Sequence, residues 1–354
     1  MTERLKKLEI YLEENELDAM YISSYENYRY YSSFSGSNCH LFVSRSERIL
    51  VTDGRYYEQA AQQAPEFTLV PQNRNFANTA SELIAERKWR RIGYETMKIT
   101  DHQIRALKSA CPQVEWVPRE SFGVYPRMIK DTDELLKIKK AVEIADDALK
   151  ELTKRLSVGM TEREIAAELD YLMAKCGSER CAFDTISASG ERGAMPHATP
   201  TDRCIAEGDM LTLDFGACYM GYMSDITRTL WFGTPSDELC RVWDAVYKAQ
   251  RAAVAAVRPG ISAGELDALH RKSLEESGYG EYIMHSLGHG VGLEIHEAPR
   301  ISPGSADILS AGMVITIEPG VYIPGLGGVR TEDTVAVTAD GAEVLTKSPH
   351  LIKI

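Results

Sequence analysis

Residues 210–216 read Met-Leu-Thr-Leu-Asp-Phe-Gly, and residues 314–320 read Val-Ile-Thr-Ile-Glu-Pro-Gly. Each is an alternating apolar run, the period-two pattern of a half-buried strand, that ends in a carboxylate and then a glycine. A second acid follows each run: Asp225 in SDITRT (224–229) and Glu332 in RTEDTV (330–335). The repetition extends outward. LSVGMTEREI (156–165) matches VRPGISAGEL (257–266), each with a helix end, a glycine stop at Gly159 or Gly260, and a capping box. The boxes are Thr161/Glu164 and Ser262/Glu265. Each half also offers a His with a Pro three residues on, His197 in HATP and His296 in HEAP. The halves are offset by about a hundred residues throughout. Short periods would mean a solenoid. One two-fold repeat of this size predicts two halves packed face to face, each presenting two carboxylates to one central cleft.

Four carboxylates cannot share a cleft unpaired, because repulsion and desolvation would protonate some of them. Two divalent cations bridged by carboxylates, roughly 3.5–4 Å apart, remove the conflict. A neutral nitrogen is available in HSLGHGVG (285–292), where Gly288 and Gly290 flank His289 and let the backbone approach closely. The ligand set read from the pattern is Asp214, Asp225, His289, Glu318 and Glu332. Oxygen-rich ligation with one imidazole suits manganese, cobalt or zinc and does not choose among them. Taken singly, an Asp after a strand is a turn residue and Gly-His-Gly is a turn. Recurrence of the acids at equivalent places in both halves is what changes that reading.

N-terminal to the duplication, helical and strand patterns alternate, which predicts a small α/β domain. Residues 3–17 read as a helix, 19–23 and 48–52 as strands, and a helix starts near Tyr56. Pro126, in GVYPR (123–127), breaks the pattern. Asp131 and Glu134 then form a capping box ahead of a long amphipathic helix through Ile138, Val142, Ala145, Leu149 and Leu152. The fold class is therefore an α/β two-domain chain: a small N-terminal α/β domain over 1–128, then a C-terminal α+β domain over 129–354 with a pseudo-two-fold duplication.

A net charge of −12 across 354 residues, with no basic tract, argues against a nucleic-acid partner. No run approaches the roughly 18 apolar residues of a membrane span, and the N-terminal segment has no apolar signal core. The seven cysteines are odd in number and form no CxxC pair, which fits reduced packing thiols in a cytoplasmic protein. Cys218, close to the acidic motifs, reads as one of these.

The segments PHATPTDR (196–203), LTLDFG (211–216), SDITRT (224–229), HSLGHGVGLEIHE (285–297), TIEPG (316–320) and GVRTED (328–333) resemble the creatinase/aminopeptidase/prolidase family, whose catalytic domain has the pita-bread fold. Residues 1–128, with ISSYENYRYYSSFSGSN and LVTDGRYYEQA, resemble the family's N-terminal domain. The resemblance implies that Asp214 chelates one metal, that Asp225 and Glu332 bridge both, and that His289 and Glu318 hold the other. It implies a nucleophilic hydroxide between the metals, Glu318 as proton acceptor, and His296 at the scissile carbonyl. His197 would assist the leaving nitrogen or contact substrate. His285 is expected on the proline side of the cleft, Arg330 beside a carboxylate, and Tyr322 in the pocket wall.

The activity implied is hydrolysis of the bond before a penultimate proline, as an Xaa-Pro aminopeptidase with two divalent ions, manganese first and cobalt or zinc as alternatives. The alternative is an Xaa-Pro dipeptidase (prolidase), which needs a group to capture the proline carboxylate; no motif supplies one. Methionine aminopeptidase and a non-catalytic binding protein on the same fold rank lower, because the first usually lacks an N-terminal domain and the second loses the metal ligands. The N-terminal domain is expected to rim the cleft and to mediate a homodimer.

Overall fold

The computed structural model describes residues 2–120 and 122–354. The chain divides between Arg127 and Met128 into two units. The first is built on strands β1 (Ala19–Ile22), β2 (His40–Ser44), β3 (Arg48–Thr52), β4 (Thr68–Pro71), β5 (Arg91–Glu95) and β6 (Glu115–Arg119), in the order β4-β3-β2-β1-β5-β6. The central three are antiparallel neighbours, and β4, β5 and β6 add in parallel. Both edge strands carry a proline, Pro71 and Pro118, where a missing N–H costs no ladder bond. Tyr21, Phe42, Ile49, Val51, Ile84, Ile92 and Leu107 fill the core between sheet and helices. The expected helix over 3–17 ends earlier, at Glu14, because Glu16 turns into the left-handed region at φ 52°. Buried Glu95, at the end of β5, accepts hydrogen bonds from the Ser23 and Ser24 amides, the Ser24 hydroxyl and Asn27. That carboxylate fixes the SSYEN turn. Pro126 sits inside a short helix, Val124–Met128, within the first turn, where proline is tolerated.

The second unit carries the duplication. Asp131 caps the helix Thr132–Thr153 through a capping box, and Thr161 does the same for Glu162–Lys175. In the second half Ser236 caps Asp237–Ala256, and Ser262 forms the capping box of Ala263–Glu276. The helices end before Gly159 and Gly260, so the two glycines are turn residues and not helix stops. Both have positive φ, 94° and 88°. Each donates its N–H over 2.9 Å to a carbonyl, Ile205 in one half and Leu309 in the other.

The strands are β7 (Ile186–Ser189), β8 (Met210–Phe215), β9 (Cys218–Tyr219), β10 (Tyr222–Met223) and β11 (Ile226–Trp231) in the first half. The second half has β12 (Gly288–Gly290), β13 (Glu297–Ile301), β14 (Val314–Ile317), β15 (Gly320–Ile323), β16 (Gly327–Arg330), β17 (Asp333–Val337) and β18 (Ala342–Val344). They form sheets β11-β8-β7 and β13-β12-β14-β17-β18, with hairpins β9/β10 and β15/β16 apart from them. The sequence implies a simple turn between the paired strands of each half; the structure puts a second, smaller hairpin there. Opposing faces are sealed by apolar side chains, among them Leu266, Ile315, Ile317 and Val335.

Reciprocal bonds join the halves. Thr227 Oγ1 donates to Glu332 Oε2 over 2.7 Å, and Thr334 Oγ1 donates to the Asp225 carbonyl over 2.7 Å. Thr227 and Thr334 each follow their own half's second acid by two residues, so each half's threonine grips the other half's acid position. Cys218 is fully buried, and none of the seven cysteines forms a disulfide. No helix among the described residues is long and apolar enough to cross a membrane.

Candidate metal centre and catalytic cavity

Five residues are brought together from the strand ends. Asp214 lies near the end of β8, opposite Thr227 of β11. Asp225 and Glu332 each follow a small hairpin and immediately precede β11 and β17, and Glu318 follows β14. Asp214, Asp225 and Glu332 each offer an oxygen within 4.8 Å of the others. His289 Nε2 lies 3.5 Å from Asp225 Oδ2 and 3.3 Å from Glu318 Oε1.

Gly288 and Gly290 hold His289 in place by close backbone approach. A Cβ on Gly288 would meet the Thr316 carbonyl at 2.1 Å, and one on Gly290 would meet the Ala298 carbonyl at 2.3 Å. His289 Nδ1 is 3.1 Å from the Gly290 carbonyl, which only accepts, so Nδ1 carries the hydrogen. The Nε2 lone pair is thereby aimed at the acids, as in a metal-ligating histidine steadied by a backbone carbonyl.

The electrostatics ask for a cation. Burial raises the Asp225 and Glu332 carboxyls well above the usual range, and neighbouring carboxylates add to it. Burial also raises Asp214, and the charge of Glu318 reinforces this against the pull of Arg330. Burial opposes the charge on Glu318, but the hydrogen bond from His289 prevails and holds that carboxyl down at about 2. Burial alone would lower His289; the hydrogen bond and charge of Glu318 raise it instead. Two oxygens have no hydrogen-bond partner among the described residues, Asp214 Oδ1 and Glu332 Oε1. Their sister oxygens are tied, Asp214 Oδ2 to Arg330 at 2.6 Å and Glu332 Oε2 to Thr227. Each carboxylate is thus fixed by one oxygen and offers the other. Orphaned buried acceptors beside a lone imidazole fit hard divalent cations.

A cavity of about 950 Å³ opens onto these groups, lined by Asp214, Asp225, His289 and Glu318 together with His197, His285, His296, Arg300 and Arg330. His296 is exposed to the cavity and its ring lies 4.3 Å from that of His289 at 71°. Burial, then the charge of His289, lowers its pKa. His197 is exposed at the same cavity.

Two expectations change. His285 lines the cavity, but both its nitrogens are spent. Nδ1 faces the Ser286 carbonyl at 2.8 Å, and Nε2 faces the Tyr322 hydroxyl at 2.7 Å. Arg330 also donates to that hydroxyl, so its single hydrogen goes to His285. His285 therefore offers substrate only its ring face. Tyr322 is not among the lining residues; it is 2% exposed and stands behind the wall, where its hydroxyl joins His285 to Arg330. Arg330 lines the cavity with a guanidinium committed to Asp214, Tyr322 and Thr227.

Arg300 escaped the sequence reading. In β13 it pairs across the ladder with His289, which puts both side chains on one face. It makes no ion pair or side-chain hydrogen bond with any described residue. Between His289 and Gly290 the register shifts, and Ala298 and Pro299 occupy the irregularity. The arginine of HEAPR carries no signal of its own in the sequence, and only this bulged pairing sets it across from His289.

Buried acids and one imidazole, gathered from two like halves around a cavity, define a metal-dependent hydrolase. Residues 136–339 match the model of metallopeptidase family M24, and residues 4–129 match the creatinase/prolidase N-terminal domain. The chain belongs to metallopeptidase family M24, and the pita-bread fold is that of its second unit. It is 39% identical to the Xaa-Pro dipeptidase from Bacillus anthracis, with a TM-score of 0.97 over 100% of this chain and 99% of that one. An Xaa-Pro dipeptidase of Pyrococcus furiosus is 40% identical, over 98% of this chain and 99% of that protein. An X-Pro aminopeptidase from Thermotoga maritima is 36% identical, with a TM-score of 0.93 over 99% and 100% of the two chains.

Proposed function

We propose that the chain is an Xaa-Pro dipeptidase whose two divalent ions, manganese first, are held by Asp214, Asp225, His289, Glu318 and Glu332. Dipeptidases among the relatives favour this over the aminopeptidase expected from sequence. The observation that carries it is Arg300, an uncommitted cation in a cavity lined by several carboxylates. A dipeptide ends in a carboxylate, and a free guanidinium pairs with it in two parallel hydrogen bonds. A longer peptide has a neutral amide there and gains nothing from that charge.

The bound ions would polarise the scissile carbonyl and lower the pKa of water towards neutrality. The chain's own groups do the rest. Glu318 is placed to accept the proton of the attacking water. His296 donates its N–H to the oxygen that gains charge in the transition state, where such a donor counts most. His197 stands at the cavity to deliver a proton to the departing proline nitrogen. The ring face of His285 offers an apolar wall to a proline ring, which brings no N–H for an extended-backbone binder to hold.

The test is hydrolysis of Ala-Pro and Ala-Pro-Ala, with manganese and then with chelator. Cleavage of the dipeptide alone, abolished by chelator, is expected; equal cleavage of both would restore the aminopeptidase reading. Arg300→Gln should raise KM for Ala-Pro by about tenfold or more, since a hydrogen bond to a charged group contributes roughly 1.5–3 kcal/mol. An unchanged KM would remove Arg300 from the carboxylate site.

A further inference from the structure

Behind Glu332, on the side away from the cavity, the segment 345–350 is fastened to both halves. Leu345 donates its N–H to the Thr334 carbonyl over 2.9 Å, and Thr346 Oγ1 donates to Asp333 Oδ1 over 2.6 Å. Arg228, fully buried, donates to the Ser348 carbonyl at 2.9 Å, the Pro349 carbonyl at 3.2 Å and Asp333 Oδ1 at 3.1 Å. The same guanidinium donates to the Thr227 carbonyl at 2.9 Å and to the Glu332 carbonyl.

His350 completes the arrangement. Its Nδ1 is 2.8 Å from Thr331 Oγ1 and its Nε2 is 3.3 Å from Asp333 Oδ2. These are the two residues flanking Glu332. Asp333 as a carboxylate only accepts, so Nε2 carries the hydrogen and Nδ1 accepts from the Thr331 hydroxyl. One ring spans the main chain on either side of Glu332 without reaching the cavity; none of His350, Thr331 and Asp333 lines it.

We propose that His350, at the end of this segment, is a positioning residue for Glu332 and sets the affinity of the metal centre. The inference rests on the ligand role given above to Glu332. A glutamate among like charges is pushed outward, and a long side chain yields to that push unless its backbone is fixed. Thr227 fixes one carboxylate oxygen. The imidazole fork ties the side chains of the residues on both sides of Glu332, Thr331 and Asp333. Partners standing behind a ligand in this way typically govern metal affinity by about 10–100-fold.

The experiment is calorimetric titration of the chelator-treated full chain with manganese, alongside the melting temperature of the metal-free protein. His350→Ala should weaken manganese binding about tenfold. His350→Gln, which keeps a donor and an acceptor, should recover part of the loss. Unchanged manganese affinity in His350→Ala would overturn the proposal, as would a lowered metal-free melting temperature with affinity intact, the mark of a merely structural residue. If His350→Ala does not fold, Thr331→Val removes one arm of the fork: weakened binding supports the proposal and unchanged binding overturns it. Failure of the unsubstituted chain to bind manganese would remove the metal reading and this one together. Failure to cleave Ala-Pro, with manganese bound normally, would remove only the substrate reading.

Discussion

The two halves of the second unit share one plan and divide the chemistry unequally. Each supplies a helix pair, a long hairpin with a small hairpin inside it, and two acids. The first half uses aspartates, the second glutamates. The first sets Asp214 opposite Thr227, two residues beyond Asp225. The second pairs Ile317 with Asp333, the residues just before Glu318 and just after Glu332. The longer acids therefore start from a different register and reach the same centre. His289, His296 and Arg300 all come from the second half, on β12, just before β13 and on β13 respectively. Duplication accounts for the positions of the acids; asymmetry accounts for what surrounds the substrate.

The sharpest way to break the comparison is to neutralise equivalent acids. Asp225→Asn and Glu332→Gln should each lower kcat/KM by more than about a hundredfold, beyond the loss usual for a residue behind a ligand. Manganese content measured on the same samples should fall in both. Full activity of either variant would mean that one half alone holds the ions.

A smaller effect separates the two histidines that occupy matching places before a proline. His296→Ala should keep its metal and lose about 100-fold or more in kcat, the scale of one lost oxyanion donor. His197→Ala should lose less. The reverse order would exchange their roles.

The smallest concerns stability. His270 is 1% exposed, and its counterpart in the first half is Leu169, fully buried. Burial pushes the His270 pKa down to about 4, with Asp267 pulling the other way. Its Nδ1 has no hydrogen-bond partner among the described residues; Asp267 Oδ1 is 3.9 Å away. The unfolded chain, with an ordinary histidine near 6.5, binds the proton first, so stability falls as pH drops from about 6.5 towards 4. The loss attributable to this group is of order 3 kcal/mol. His270→Leu, which copies the first half, should flatten the melting temperature across that window. An unchanged acid slope would place the sensitivity elsewhere.

The acids and His289 were legible because their pattern recurs and because flanking glycines advertise close packing. The capping boxes were legible for the same local reason: Asp131, Thr161 and Ser262 bond within four residues of themselves. What escaped depends on pairing between distant segments. Arg300 needs the β12/β13 register. The silence of the His285 nitrogens needs Tyr322, 37 residues away. Four of the six strands of the first unit went unread. One of them, EWVPR, carries a glutamate, a proline and an arginine in five residues and forms an edge strand through its neighbour. The buried ion pair of Lys130 with Glu297, 3.2 Å and at most 3% exposed, joins residues 167 apart and has no local signature.

The hydrogen bond from Thr227 to Glu332 spans 105 residues of chain. Contacts of such long range are expensive in loop entropy and form after local ones. The helices on either side can therefore take shape while the centre is still open, and a chain that looks folded by its helix content is not yet an enzyme. During refolding, recovery of helical signal should run ahead of recovery of activity, with the catalytic centre among the last parts of the molecule to exist.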